Sequence, residues 1–228
     1  MVQSNLRDLA GYDPTSHSDC VVNNTRHPVL IVVEGSHDVD FLRRLTDRLR
    51  LEDASFPALT RWEQTGRVIF IPFGGGRVAA WSRRFASLRC SEFHLYDREL
   101  EPETAVRQAA VTTINRRVAC RALLLSKHSL ENYLHPLALY KAGGGTIGVV
   151  DHEPMSVIVA RHWYLGRPHD REWEALSNRA RRRMATNAKR WLNIDAVDRM
   201  TLLMLEKRDP QGELISWLKA ITKAVNPR

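Results

Sequence analysis

Cysteine is scarce in this chain: three in 228 residues, at Cys20, Cys90 and Cys120, with no Cys-x-x-Cys spacing. An odd, dispersed set argues against a disulfide framework or a zinc knuckle and points to a reducing compartment, the cytoplasm. Long apolar runs are missing as well. None approaches the ~20 residues that a membrane-spanning helix needs. The opening MVQSNLRDLAGYDPTSHSD has no apolar stretch like that of a signal peptide. No Gly-Lys-Ser/Thr follows a glycine-rich loop, so the chain carries no ATPase machinery of the P-loop kind. No His-Glu-x-x-His is present, no Ser-His-Asp order stands out, and the nine histidines are scattered. There is no internal repeat. What remains is a chain that is 43% apolar, enough to bury a core, with a formal net charge of +8. A polyanion is one partner such a charge fits; a merely basic, solvated surface is the other reading.

Residues 1–27 are polar and read as an irregular arm. From Pro28 the pattern alternates between short apolar runs and helical periodicity. Val29–Val33, Arg67–Phe73, Glu92–Tyr96 and Cys120–Ser126 are predicted strands. Asp38–Leu51, about Arg77–Leu88, and Pro102–Arg117 are predicted helices, the last with proline near its first turn. Strand-helix alternation predicts an α/β domain with a parallel sheet flanked by helices, over 28–136. Beyond it, 137–228 reads as a helical, strongly basic region. Ser177–Arg190 holds six Lys or Arg among fourteen residues and no acid.

Ligands of a parallel sheet bind beyond the carboxyl ends of its strands, and acids collect there. Glu34 ends the first strand, with Asp38 four residues on. Asp97 and Glu99 follow the third strand. Glu131 follows the fourth. Oxygen-rich groups of this kind suit Mg²⁺ or Mn²⁺. Each has a plainer reading. Asp38 would also serve a helix N-terminus, and acid-x-acid pairs are common in loops. His37 and His94 sit near the acids in sequence but read as outer or surface groups. Gly74-Gly75-Gly76 reads as a tight strand-to-helix turn. Arg179, Arg181, Arg182, Arg183 and Arg190 form a like-charge cluster suited to phosphates.

Glu34-Gly35 after one strand and Asp97-x-Glu99 after a later one resemble the Toprim fold of topoisomerases, primases and OLD-type nucleases. VEGSHDVDFL, VIFIPFGGG and SKHSLENYLHP are similar to motifs of the OLD-like branch. The resemblance covers about Pro28–Pro136. One departure stands out: the family usually has Asp-x-Asp, and here the second acid is Glu99. The resemblance implies a metal-dependent nuclease with two Mg²⁺ or Mn²⁺ ions held by Glu34, Asp38, Asp97, Glu99 and Glu131. It implies a catalytic role for Glu34 and a downstream lysine, for which Lys189 is the candidate. It also implies a separate ABC-type ATPase partner in defence against phage. A docking patch for that partner is expected around Trp191, Leu192, Trp217, Leu218 and Ile221. The alternatives are a non-catalytic nucleic-acid-binding or regulatory subunit with a structural Mg²⁺, and nucleotidyl or strand transfer. DNA and RNA are not distinguished.

Overall fold

A computed structural model of the chain describes residues 27–168 and 170–226. All but the last residue of the expected N-terminal arm, and Cys20 with it, lies outside the described residues.

Four parallel strands form the sheet: β1 (Val29–Val33), β2 (Val68–Pro72), β3 (Glu92–Tyr96) and β4 (Cys120–Leu124), in the order β2-β1-β3-β4. All five residues of β1 and of β3 are buried, as expected for central strands covered on both faces. The order makes β1 the point where the chain reverses direction: β2 is laid to one side of it and β3 to the other. In open parallel sheets that reversal opens a crevice between the two neighbouring strand ends. Glu34 leaves β1 and Asp97 leaves β3 at that crevice.

The helices follow the expected periodicities, with shifted ends. The first, α1, spans Ser36–Arg50 and buries Val39, Phe41, Leu42, Leu45 and Leu49. It begins two residues earlier than predicted because the extended Gly35 caps it. The Asp38 carboxylate reaches back to accept the Gly35 N–H at 2.7 Å. A short helix not foreseen from the sequence, α2 (Leu59–Gln64), precedes β2. The second predicted helix, about Arg77–Leu88, is split into α3 (Val78–Arg84) and a 3₁₀ turn, Ala86–Leu88, which ends at the left-handed Arg89 (φ 52°). Next, α4 spans Glu103–Asn115, with Pro102 just before it. The Gly74-Gly75-Gly76 turn has φ of 72°, 77° and 89°, a run that only glycine adopts without strain. Its Gly74 N–H donates to the Glu34 carbonyl at 2.9 Å, tying this turn to the end of β1.

Five further helices follow: α5 (Pro136–Lys141), α6 (Met155–Leu165), α7 (Asn178–Trp191), α8 (Leu202–Arg208) and α9 (Glu213–Val225). They cover one sheet face together with α1. Ile31, Phe41, Leu45, Phe93, Leu192, Val197, Trp217 and Ile221 belong to one continuous apolar cluster. The other face carries α3 and α4 over Val32, Tyr96, Val111 and Ile114. Among the described residues, no helix is long and apolar enough to cross a membrane.

The exposed apolar patch expected near the C-terminus is corrected by this arrangement. Leu192, Trp217, Leu218 and Ile221 are fully buried, and Trp191 is half-buried with its ring edge-on to Trp163 at 5.1 Å. On α9, Leu214, Trp217, Leu218, Ile221 and Val225 recur at helical spacing, so one stripe turns onto the sheet, with Trp217 edge-on to Phe93. Truncating Trp217→Ala is therefore expected to cost about 3–5 kcal/mol of folding free energy in urea denaturation. A change below about 1 kcal/mol would contradict its place in the core.

Candidate active site at the carboxyl edge of the sheet

A cleft of about 300 Å³ opens at the sheet's carboxyl edge, lined among others by Glu34, Asp97, Glu99, His128, Ser129, Glu131, Ser156 and Lys189. Glu34 arrives from the end of β1, Asp97 and Glu99 from the loop after β3, and Glu131 from the 3₁₀ turn Leu130–Tyr133 after β4. Lys189 comes from the last turn of α7, nearly sixty residues further along. The structure thus brings Glu34, Asp97, Glu99 and Glu131 together with the candidate lysine around one cleft. Asp38 does not line the cleft; it is buried behind it.

Glu131 is the best-supported of the acids. It is 2% exposed and accepts a hydrogen bond from Asn193 Nδ2 at 2.7 Å. The Lys189 ammonium lies 3.7 Å from its Oε1. Burial would push the Glu131 carboxyl up, but Lys189 and the neighbouring Ser129 and Asn193 side chains outweigh it, and its pKa lies below the usual value. Asn193 sits four residues past Lys189, in the wide π turn Leu192–Ala196, and the same Nδ2 also donates to the Lys189 carbonyl at 2.7 Å. The widened turn sets both ends of the ion pair from one side chain.

The two aspartates are held less comfortably. Burial, then Glu131, raises the Asp38 carboxyl to about 6, against the pull of Lys189. Burial and the charges of Asp38, Glu131 and Glu34 push Asp97 well above the ordinary carboxylate range. Burial alone would lower Lys189, but Glu131, Asp38 and Asp97 around it outweigh burial and raise its pKa. Acids packed this closely repel each other unless cations lie among them.

A second cation is present that sequence reasoning missed. Arg107, from α4 and 7% exposed, forks onto Glu34: Nη2 donates to Oε1 at 3.0 Å and Nη1 to Oε2 at 3.1 Å. It also donates to Glu99 Oε1 at 3.2 Å and to the Asp97 carbonyl at 2.9 Å. A lone arginine inside a helix carries no signal of this role in the sequence. His128 and Ser129 were within reach of sequence reasoning, since they closely precede Glu131 in SKHSLENY. His94 is not at the cleft. It is fully buried on β3, between Glu92 Oε2 at 2.9 Å and the Tyr96 hydroxyl at 3.0 Å, and Arg117 clasps Glu92 from outside.

The basic residues of α7 stand on the surface leading from Lys189. Arg179, Arg182, Arg183 and Arg190 are exposed or half-buried, as is Arg181. Among the described residues none of them is paired with an acid; Arg181 donates to Asn178 Oδ1 at 2.7 Å. At 3.6 residues per turn, Arg182 lies two turns from Lys189 on nearly the same helix face.

Among the described residues, no three His, Cys, Asp or Glu side chains are already disposed around a metal position. The donor set nevertheless fits a hard divalent ion. It is all oxygen and carries five acidic side chains against Lys189 and Arg107, while burial first and the neighbouring acids second raise Asp38 and Asp97.

No protein-family model, no curated protein and no solved structure matches this chain.

The Asp38 shift makes a stability prediction. Its carboxyl titrates near 6 in the folded chain and near 3.8 when unfolded, so the folded state binds the proton more tightly. The resulting penalty is absent below about pH 4, grows as pH rises through 4–6, and is complete above it. Asp38→Asn keeps the acceptor for Gly35 and removes the charge. In EDTA at pH 7.5 it is expected to stabilise the fold by on the order of 2–3 kcal/mol, with the gain vanishing near pH 4. Equal stability of both proteins at pH 7.5 would refute the assignment.

Proposed function

We propose that this protein is a divalent-cation-dependent nuclease that hydrolyses phosphodiester bonds, with the cleft between β1 and β3 as its active site. The observation that supports the reading best is the convergence of Glu34, Asp97, Glu131 and Lys189 in one cleft. Those residues come from three strand ends and a distant helix. The resemblance of the same residues to the Toprim fold, OLD-like branch, agrees with it.

In this reading Asp97 and Glu131 would hold Mg²⁺ or Mn²⁺, with Glu34, Glu99 and Asp38 as neighbouring acids rather than ligands of the ion. Such an ion, when bound, polarises the phosphoryl oxygen and activates water. The chain's own groups do the rest. Glu34, kept in one orientation by Arg107, is the acceptor aimed at the attacking water. Lys189, kept charged by Glu131, donates to a non-bridging phosphate oxygen as negative charge builds there. Asn193 positions both Glu131 and Lys189. Arg179, Arg181, Arg182, Arg183 and Arg190 hold the phosphate backbone without reading its sequence. A partner ATPase and a role in phage defence belong to this proposal through the resemblance alone; the apolar anchor expected for that partner is buried. The non-catalytic alternative draws on the Arg107 clasp, which occupies Glu34 in the manner of a structural ion pair.

The deciding experiment is incubation with labelled DNA and RNA in Mg²⁺, Mn²⁺ or EDTA. Cleavage that requires the metal is expected. Asp97→Asn should abolish it and Lys189→Met should lower it by roughly 10²–10³-fold, each with unchanged circular dichroism. Metal-dependent binding without cleavage would favour the non-catalytic alternative instead.

Binding should also be salt-sensitive. Replacing Arg181, Arg182 and Arg183 by glutamate is expected to flatten the slope of log K against log salt by roughly 2–3 units, about 0.9 for each phosphate no longer neutralised. An unchanged slope would make this face solvated surface only.

A further inference from the structure

Four carboxylates line the cleft and Asp38 lies buried behind it, but the five do not share their counter-charges evenly. Glu34 and Glu99 both belong to Arg107: its fork meets the two Glu34 oxygens at 3.0 and 3.1 Å, and Nη2 also reaches Glu99 Oε1 at 3.2 Å. Asp97 offers Arg107 only its backbone carbonyl, at 2.9 Å. Among the described residues, the carboxylates of Asp38, Asp97 and Glu131 make no ion pair with an arginine; Arg107 feels the Asp97 charge without bonding its carboxylate, and Lys189 stands 3.7 Å from Glu131.

We propose that Arg107 permanently takes the place of one divalent cation, holding Glu34 and Glu99, so that the cleft loads a single ion on the side of Asp97 and Glu131. This rests on reading the cleft as a divalent-cation site. A guanidinium keeps its charge at every physiological pH, and a planar fork on a carboxylate uses the two oxygen directions a chelated ion would take. Arg107 is not a swinging surface group. It is 7% exposed, rooted in α4, and carries four hydrogen bonds that would all break if it left. A dication on Glu34 would sit beside that buried positive charge. The same contact accounts for the glutamate at position 99, where the family pattern has aspartate. The additional methylene carries the carboxylate to Arg107, so Glu99 is matched to the arginine.

The test counts Mn²⁺ bound to the full-length protein near neutral pH, by calorimetry and by electron paramagnetic resonance of free Mn²⁺. The wild-type chain should bind one ion, and Arg107→Gln should bind two. Glu99→Ala should leave one ion with affinity changed less than about tenfold, whereas Asp97→Asn should lose it. Two ions in the wild type, or one in Arg107→Gln, would overturn the proposal while leaving the cation site standing. No ion in the wild type would overturn the cation-site reading and this inference with it. Should Arg107→Gln fail to fold, Glu99→Ala decides alone: an affinity within tenfold for an unchanged single ion supports the proposal, and a weakening beyond tenfold overturns it.

Discussion

Mutual repulsion among carboxylates at the end of a buried parallel sheet is the constraint around which this molecule is arranged. A parallel sheet covered on both faces leaves its polar contacts to the strand ends. In this chain three of the four strands lead into an acidic residue there. Burial there disfavours charge and the crowding of acids adds to it, so that Asp38 and Asp97 are carboxyl groups reluctant to ionise. Two cations from elsewhere in the fold oppose it. Lys189 is supplied by the C-terminal helices and Arg107 by the helix between β3 and β4. The C-terminal helices therefore complete the site as well as the core.

The same constraint explains features that look unrelated along the chain. Asp38 doubles as the cap of α1, so the first helix is built from a carboxylate that costs stability once ionised. The π turn after α7 lets Asn193 reach Glu131 and the Lys189 carbonyl together. A regular helix would distribute those groups differently, and widened turns of this kind recur at functional positions. The glycine turn after β2 lies against the end of β1 through a backbone bond to Glu34, leaving room for the acid to face the crevice. Each device sacrifices some local regularity for the position of one charged group, a trade that active sites commonly show.

A second polar network lies on the opposite face of the sheet and performs a different task. Glu92, His94 and Tyr96 alternate along β3 and point together into the layer under α3 and α4. Arg117 closes the chain on Glu92 at 2.6 Å. Each of these buried side chains meets a partner, which is the condition for polar residues to lie in a core without a large penalty. His94 is close in sequence to Asp97, yet the alternation of a strand turns it to the other side. Nearness along the chain says little about which face a side chain serves.

Much of this is legible in the residues themselves. Short, largely apolar runs ending in turn-forming or polar residues identify all four strands, because the covered part of a strand favours apolar residues and its end does not. The order of Glu34, Asp97, Glu99 and Glu131 places the acids at one edge, since parallel strands bring their carboxyl ends to the same side. Lys189 is reachable only through resemblance. The stripe around Trp217 misleads, because tryptophan and leucine at helical spacing look the same whether they meet a partner or their own sheet. Arg107 and Asn193 are invisible. Each is an ordinary residue within a helix or turn, and its importance comes from where the fold delivers it. Local physics sets the strands, helices and acids; the pairing of those acids with particular cations depends on which distant elements the core brings together, and only the tertiary structure decides that.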